Sequence, residues 1–176
     1  MDLQKRIKSS IRDIPDFPKP GILFKDITPV LADSALCQDI VEEICNQLKS
    51  KKVDGIVGIE SRGFLFGMLL AQKLKVPFLP VRKKGKLPFK TYSYEYSLEY
   101  GSAVMEMHID SVKEGSSVVI HDDLLATGGT AAADAELVKM QGGIVTAFSF
   151  LISLDFLNGK ERLTSHSSNI LSLVNY

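Results

Sequence analysis

Residues Val118 to Met140 constrain the fold of this chain more than any other stretch. Val118-Val119-Ile120 is a short apolar run of the kind that forms a buried strand. Asp122 and Asp123 follow where that strand is expected to end. A small turn, Ala126-Thr127-Gly128-Gly129-Thr130, leads into an alanine-rich run, Ala131 to Met140, with helical character. A strand feeding a helix through a tight glycine turn is the building unit of parallel-sheet α/β proteins. The turn has a chemical consequence as well. The unpaired N–H groups and macrodipole of a helix N-terminus favour a phosphate. Gly128 and Gly129 would let the backbone come close to it, and Thr127 and Thr130 would add hydroxyl donors. Asp122 and Asp123 repel phosphate. They suit sugar hydroxyls or, less directly, a magnesium shell. The ligand implied is a phosphorylated sugar. An unremarkable solvated Asp-Asp turn is the alternative for these residues taken singly.

The rest of the chain repeats the unit. Gly55 to Ile59 is expected as a buried strand followed by an apolar helix, Phe64 to Leu74, and Pro77 to Val81 as another strand. Leu36 to Leu48 has apolar residues at helical spacing, and Leu3 to Ile11 reads as a short helix. The proline-rich stretch Ile14 to Gly21 is expected to be irregular. Thr91–Tyr96 and Ala103–His108 alternate like a hairpin. Ile144–Ile152 and Ile170–Val174 read as strands, with a short helix over Phe156–Leu163 between them. The fold predicted is α/β, a central, mainly parallel sheet flanked by helices. Ligands of such sheets bind beyond the carboxyl ends of the strands. Glu60, Ser61 and Arg62 should meet Asp122 and Asp123 there.

Composition removes several function classes. The 176 residues carry 21 basic and 21 acidic side chains, so formal net charge is zero and no basic field would recruit nucleic acid. No apolar run approaches the ~20 residues that span a bilayer. The N-terminal residues lack the apolar core of a signal peptide, which makes the cytoplasm the expected location. Cys37 and Cys45 are eight residues apart in one helix, too far for a disulfide and expected to be reduced. The turn is neither a P-loop nor a dinucleotide fingerprint, because Gly-Lys-Ser/Thr and Gly-x-Gly-x-x-Gly are missing.

The ordered motif Asp-Asp-Leu-Leu-Ala-Thr-Gly-Gly-Thr resembles the phosphoribosyl-pyrophosphate signature of the type I phosphoribosyltransferases, in its adenine-specific form. The resemblance runs from about residue 12 onward and includes further motifs. Ser61-Arg62-Gly63-Phe64-Leu65-Phe66-Gly67 is similar to the family's pyrophosphate loop. Arg62 otherwise reads as a surface arginine, yet a cation at a helix start is poorly placed unless it meets an anion. The basic run Arg82-Lys83-Lys84-Gly85-Lys86-Leu87-Pro88 looks like a family element that binds phosphate from a lid; otherwise it is a solvated loop. Tyr96-Ser97-Leu98-Glu99-Tyr100-Gly101 resembles the family's flexible loop. Asp16 to Pro29, with Phe24, resembles its base-pocket segment, although periodicity alone favours Phe24 as core.

What the resemblance implies is specific. The whole chain, 1–176, is one domain, with a base-binding segment over about 1–35 and a hairpin lid over about 82–101. Adenine and phosphoribosyl pyrophosphate react to AMP and pyrophosphate, in purine salvage. Asp122 to Thr130, including Leu124 and Leu125, hold the phosphoribosyl group. Ser61, Arg62, Arg82, Lys83 and Lys86 hold the pyrophosphate. Glu99 is the catalytic carboxylate, with Tyr100 its neighbour in the lid. Phe24 stacks on adenine, and the backbone at Leu23 and Lys25 reads its edge. Mg2+ arrives with the substrate through water and phosphate rather than through protein ligands, and the assembly is a homodimer. No nucleic acid or membrane partner is implied. Two rivals are a 6-oxopurine phosphoribosyltransferase and a non-catalytic sensor of phosphoribosyl pyrophosphate. His121 departs from the family pattern, which has a small apolar residue there. It is read as a satisfied core histidine or as a modifier of the Asp122 and Asp123 proton affinities.

Overall fold

A computed structural model describes residues 2–97 and 101–176. Among the described residues, nine strands and six α-helices follow one another along the chain. The first elements are α1 (Leu3–Ser10), β1 (Arg12–Pro15), β2 (Leu23–Asp26), α2 (Thr28–Leu31) and α3 (Ser34–Leu48). Then come β3 (Gly55–Ile59), α4 (Gly63–Leu74), β4 (Phe78–Lys83), β5 (Thr91–Ser97), β6 (Ser102–His108) and β7 (Ser117–Leu125). The last are α5 (Gly129–Met140), β8 (Ile144–Ser153), α6 (Gly159–Leu163) and β9 (Ile170–Asn175). Seven strands form one sheet in the order β5-β6-β4-β3-β7-β8-β9. The pairs among β4, β3, β7, β8 and β9 are parallel, and β6 and β5 extend the sheet as an antiparallel hairpin. The predicted fold class is therefore the observed one.

Alternation along the strands divides the core in two. Val119, Ala147 and Leu151 join Ile40, Ile44, Phe66 and Leu70 of α3 and α4. Val118, Ile120, Phe148 and Phe150 join Ala135 and Leu137 of α5 and Leu163 of α6. Burial on both faces explains why β3 and β8 are near-continuous apolar runs. The approach of α4 to the sheet depends on glycine. A Cβ on Gly58 would lie 2.4 Å from the Phe78 ring, and one on Gly63 would lie 2.6 Å from the His121 carbonyl oxygen. Cys37 and Cys45 are both unbridged in α3. Among the described residues no helix is long and apolar enough to cross a membrane.

Two elements differ from expectation. The stretch over Ile14–Gly21 is not wholly irregular, because Ile14 and Pro15 belong to β1, which pairs antiparallel with β2. This ribbon is separate from the main sheet, so the missing Pro15 N–H breaks no interior ladder. Its turn is closed by the Asp16 carboxylate, which accepts the Gly21 N–H at 2.8 Å. The second difference bears on function. β7 does not stop at Ile120 but continues to Leu125, since β8 keeps pairing with it through Leu124 and Leu125. The acidic pair lies inside the strand, and its two side chains point to opposite sheet faces.

Candidate active site

The carboxyl ends of β3 and β7 open onto a cleft of about 400 Å³. Glu60, Ser61, Arg62, Lys83, Lys86, Asp122 and Asp123 line it. Two loops that are 60 residues apart in sequence thus converge because their strands are adjacent and parallel, with Gly58 opposite His121. The Glu60–Ser61 peptide in the first loop is cis.

Arg62 sits at the start of α4 and makes the decisive connections. Its Nε lies 3.1 Å from Asp123 Oδ2. Its Nη1 donates to the Lys25 carbonyl at 3.3 Å, and its guanidinium lies 4.9 Å from the centre of the Phe24 ring. One side chain therefore joins the β2 segment to the acidic pair. The anion that Arg62 was expected to need at a helix N-terminus is supplied internally by Asp123. Phe24 is only partly buried and belongs to neither core cluster; Phe17 meets it edge-on at 5.1 Å. Its role as ordinary core, favoured by periodicity alone, is not what the structure shows. Leu23 is exposed beside it. The Lys25 side chain turns away, with its ammonium 2.7 Å from Asp13 and 3.8 Å from the Tyr176 ring centre. Only its backbone remains toward the Arg62 side.

The acidic pair sits in an unusual electrostatic setting. Burial pushes the Asp122 carboxyl well above the ordinary carboxylate range, and the charge of Asp123 adds to this. Burial also raises Asp123, against the pull of Arg62. Asp122 Oδ1 accepts the Asp123 N–H at 2.9 Å. His121 lies between Ile120 and this pair but faces the α3–α4 side, where its Nδ1 is 3.3 Å from Ser149 Oγ. Burial depresses its imidazole to about 4, so the ring is neutral. It is a core histidine, hydrogen-bonded through Nδ1 while its buried Nε2 has no hydrogen-bond partner.

The phosphate-type turn after β7 has the expected form. Gly128 adopts φ 77° and caps α5, which begins at Gly129. Thr130 Oγ1 is 2.9 Å from the Tyr96 hydroxyl, so the β5–β6 hairpin is docked on the turn. Arg82, Lys83 and Lys86 stand at the end of β4 and in the loop beyond it, and all three meet Glu60. Lys86 Nζ pairs with its carboxylate, Arg82 Nε lies 3.4 Å away, and the Lys83 N–H donates to it at 2.9 Å. Burial opposes the charge on Glu60, but Lys86, the Lys83 N–H and Arg82 together hold its carboxyl below the ordinary value. Glu60 was placed at the cleft by sequence but not given a role. A carboxylate at a strand end, ahead of a basic run on the neighbouring strand, is the signal that marks it. Glu99 and Tyr100 lie outside the described residues.

The chain is similar to proteins of known activity. Residues 26–151 match the phosphoribosyl transferase domain family. An adenine phosphoribosyltransferase of Cytophaga hutchinsonii is 53% identical over 174 residues, covering 99% of this chain and 96% of its own. The chain belongs to the adenine phosphoribosyltransferases. The crystal structure of the enzyme from Thermoanaerobacter pseudethanolicus superposes with a TM-score of 0.95 at 52% identity, over 99% of this chain and 100% of that one. The Saccharomyces cerevisiae adenine phosphoribosyltransferase, solved with an imino-altritol bisphosphate and adenine, superposes with a TM-score of 0.92 at 39% identity, over 97% and 98%. As a member of this family, the chain has the fold that its sequence motifs imply.

Proposed function

We infer that this chain transfers the 5-phosphoribosyl group of phosphoribosyl pyrophosphate to adenine, giving AMP and pyrophosphate, in purine salvage. The observation that carries the residue assignment is Arg62, which touches the base segment at Lys25 and Phe24 and the sugar-type carboxylate Asp123 at once. A base and a sugar brought together there lie side by side, as the reaction requires.

The roles follow from chemistry. The turn from Ala126 to Thr130 takes the 5′-phosphate on its N–H groups and threonine hydroxyls. Asp122 and Asp123 accept the ribose hydroxyls, with Leu124 and Leu125 shaping the strand end behind them. Burial raises their proton affinities, and hydroxyl donors from a bound sugar would favour the ionised form. Ser61, Arg62, Lys83, Lys86 and Arg82 receive the pyrophosphate. Arg82 and Lys86 are held by Glu60 and must exchange that carboxylate for substrate oxygens. Among the described residues no cluster of carboxylate, histidine or cysteine side chains could hold a metal ion, so Mg2+ would come in on the substrate's phosphate oxygens and water. When bound it neutralises the departing pyrophosphate. Phe24 stacks on adenine while the Leu23 and Lys25 backbone reads its amino group and ring nitrogen. A 6-oxopurine reverses that donor and acceptor pattern and would leave buried polar groups unpaired. The C–O bond to pyrophosphate breaks as the adenine ring nitrogen bonds the sugar carbon, and Glu99 takes the nitrogen's proton. Closure of the 82–101 lid, to which Tyr100 is assigned by its motif, would exclude water. The chain acts as one domain, its residues 1–35 forming the base segment, in a cytoplasmic homodimer without nucleic-acid or membrane partners.

The test is pyrophosphate release with phosphoribosyl pyrophosphate and Mg2+, comparing adenine, hypoxanthine, guanine and xanthine. Adenine alone should support release. Release with an oxopurine would overturn the base pocket, and silence with every base would leave a sensor of phosphoribosyl pyrophosphate. Glu99→Gln should lower kcat by about 10²-fold or more, in the range of lost general-base catalysis, with phosphoribosyl-pyrophosphate affinity within a few-fold. Equal losses in both would remove Glu99 from the chemistry.

A further inference from the structure

The phosphate turn has a neighbour that the sequence motifs do not include. β8 ends at Ser153, a 3-10 turn covers Asp155–Leu157, and Asn158 takes a left-handed conformation at φ 52°. The chain then enters α6 directly against the turn. A Cβ on Gly159 would lie 2.1 Å from the Ala126 carbonyl oxygen and 3.0 Å from the Gly128 nitrogen. In return, a Cβ on Gly128 would lie 2.6 Å from the Gly159 carbonyl oxygen. Both approaches are backbone against backbone, which no rotamer change can relieve. Two glycines therefore face one another, one in the recognised motif and one about 30 residues outside it.

Arg62 is not the only cation at a helix start here. One turn further along α6, Arg162 reaches over the first residue of α5. Its Nη1 is 2.9 Å from where a Gly129 Cβ would be, so the absence of a side chain at Gly129 gives the guanidinium its room. A cation at the positive end of a helix is unfavourable unless an anion is held nearby. Arg62 meets that condition through Asp123, whereas Arg162, exposed in a pocket it lines with Glu95 and Glu136, forms no ion pair with a carboxylate among the described residues. The anion that such a position lacks is one that the turn itself would bring.

We propose that α6 forms the outer wall of the 5′-phosphate subsite, with Gly159 positioning the Ala126–Gly128 backbone and Arg162 supplying positive charge at the start of α5. The proposal rests on the reading of this turn as the 5′-phosphate site. Gly159 acts through the turn and is a positioning residue, while Arg162 acts on the phosphate electrostatically. Both should matter for the phosphorylated substrate and not for the base.

Steady-state kinetics and calorimetric titration with ribose 5-phosphate test this on the full chain. Gly159→Ala should raise the KM for phosphoribosyl pyrophosphate at least tenfold and weaken ribose 5-phosphate to match, with adenine KM within twofold and kcat little changed. Arg162→Met should raise the same KM three- to tenfold, and Arg162→Lys should recover most of that loss because it keeps the charge. Wild-type KM and ribose 5-phosphate affinity in folded Gly159→Ala, or in Arg162→Met, overturn the proposal. If Gly159→Ala does not fold, the Arg162 pair decides alone. Should the unmodified protein turn over no base, the enzyme reading fails, and ribose 5-phosphate binding by the same variants still tests α6.

Discussion

Two buried residues beside the acidic pair titrate in opposite senses. His121 is fully buried and depressed to about 4, whereas an unfolded histidine sits near 6.5. The unfolded chain therefore binds the extra proton first as pH falls, and stability that is present above 6.5 is lost on the way down to about 4. The site accounts for about 3 kcal/mol over that window. Asp134 in α5 is also fully buried, with neither carboxylate oxygen hydrogen-bonded, and burial lifts its carboxyl well above 3.8. Its folded pKa is raised, so its contribution is fullest below 3.8 and declines as pH rises. Urea unfolding at pH 7.5 and 4.5 separates the two. His121→Val should gain stability relative to the parent mainly at pH 4.5. Asp134→Ala should gain about 1–3 kcal/mol at pH 7.5 by removing an unpaired buried carboxylate, and less at pH 4.5. A pH-independent difference in both variants would contradict these assignments.

Elements are placed by caps and by close approach as much as by apolar periodicity. α3 begins where Asp33 accepts the Leu36 N–H at 2.9 Å, and it buries Leu36, Ile40, Val41, Ile44 and Leu48 under the sheet. Asp33→Ala should cost about 1 kcal/mol, the usual loss of a helix cap, seen as a lower denaturant midpoint with unchanged slope. A shift in kcat or in either KM would mean that α3 couples to the cleft, although none of its residues lines it. α4 and α5 start differently, with no side-chain cap at Arg62 or Gly128. Among the described residues α3 is the one α-helix with a side-chain N-cap; α1, α2 and α6 also begin without one.

At the scale of the whole molecule, one face of α4 is exposed and apolar. Leu65, Met68 and Leu69 are 43%, 55% and 40% exposed. They lie at i, i+3 and i+4 and so share one helix face. Together with α3 residues such as Cys37 and Val41, Leu65 and Leu69 line a groove of about 780 Å³. A contiguous apolar patch of this kind marks an interaction surface, and it supports the homodimer proposed above. Sedimentation velocity should give twice the 19.4 kDa chain mass. Leu65→Glu with Leu69→Glu should give a monomer near the chain mass, and a dimer that survives both changes would place the interface elsewhere.

The sequence by itself determined the fold class, the order of the main-sheet strands and of the longer helices, and the cleft loops, because periodicity and turn chemistry are local; the β1–β2 ribbon and the short α2 left no such pattern. It also located Asp122 to Thr130 and Arg62, whose residue types already state their chemistry. Tertiary structure decided what depends on pairing and approach. β7 runs on through the acidic pair because β8 keeps pairing with it, and Pro15 sits in a strand because its ribbon stands apart from the sheet. Glu60 gains its grip on Arg82 and Lys86 only when β3 and β4 lie side by side. Gly159 looks like any loop glycine until α6 is seated against Ala126. A contact between backbones about 30 residues apart leaves no periodic trace in the chain, and only packing reveals it.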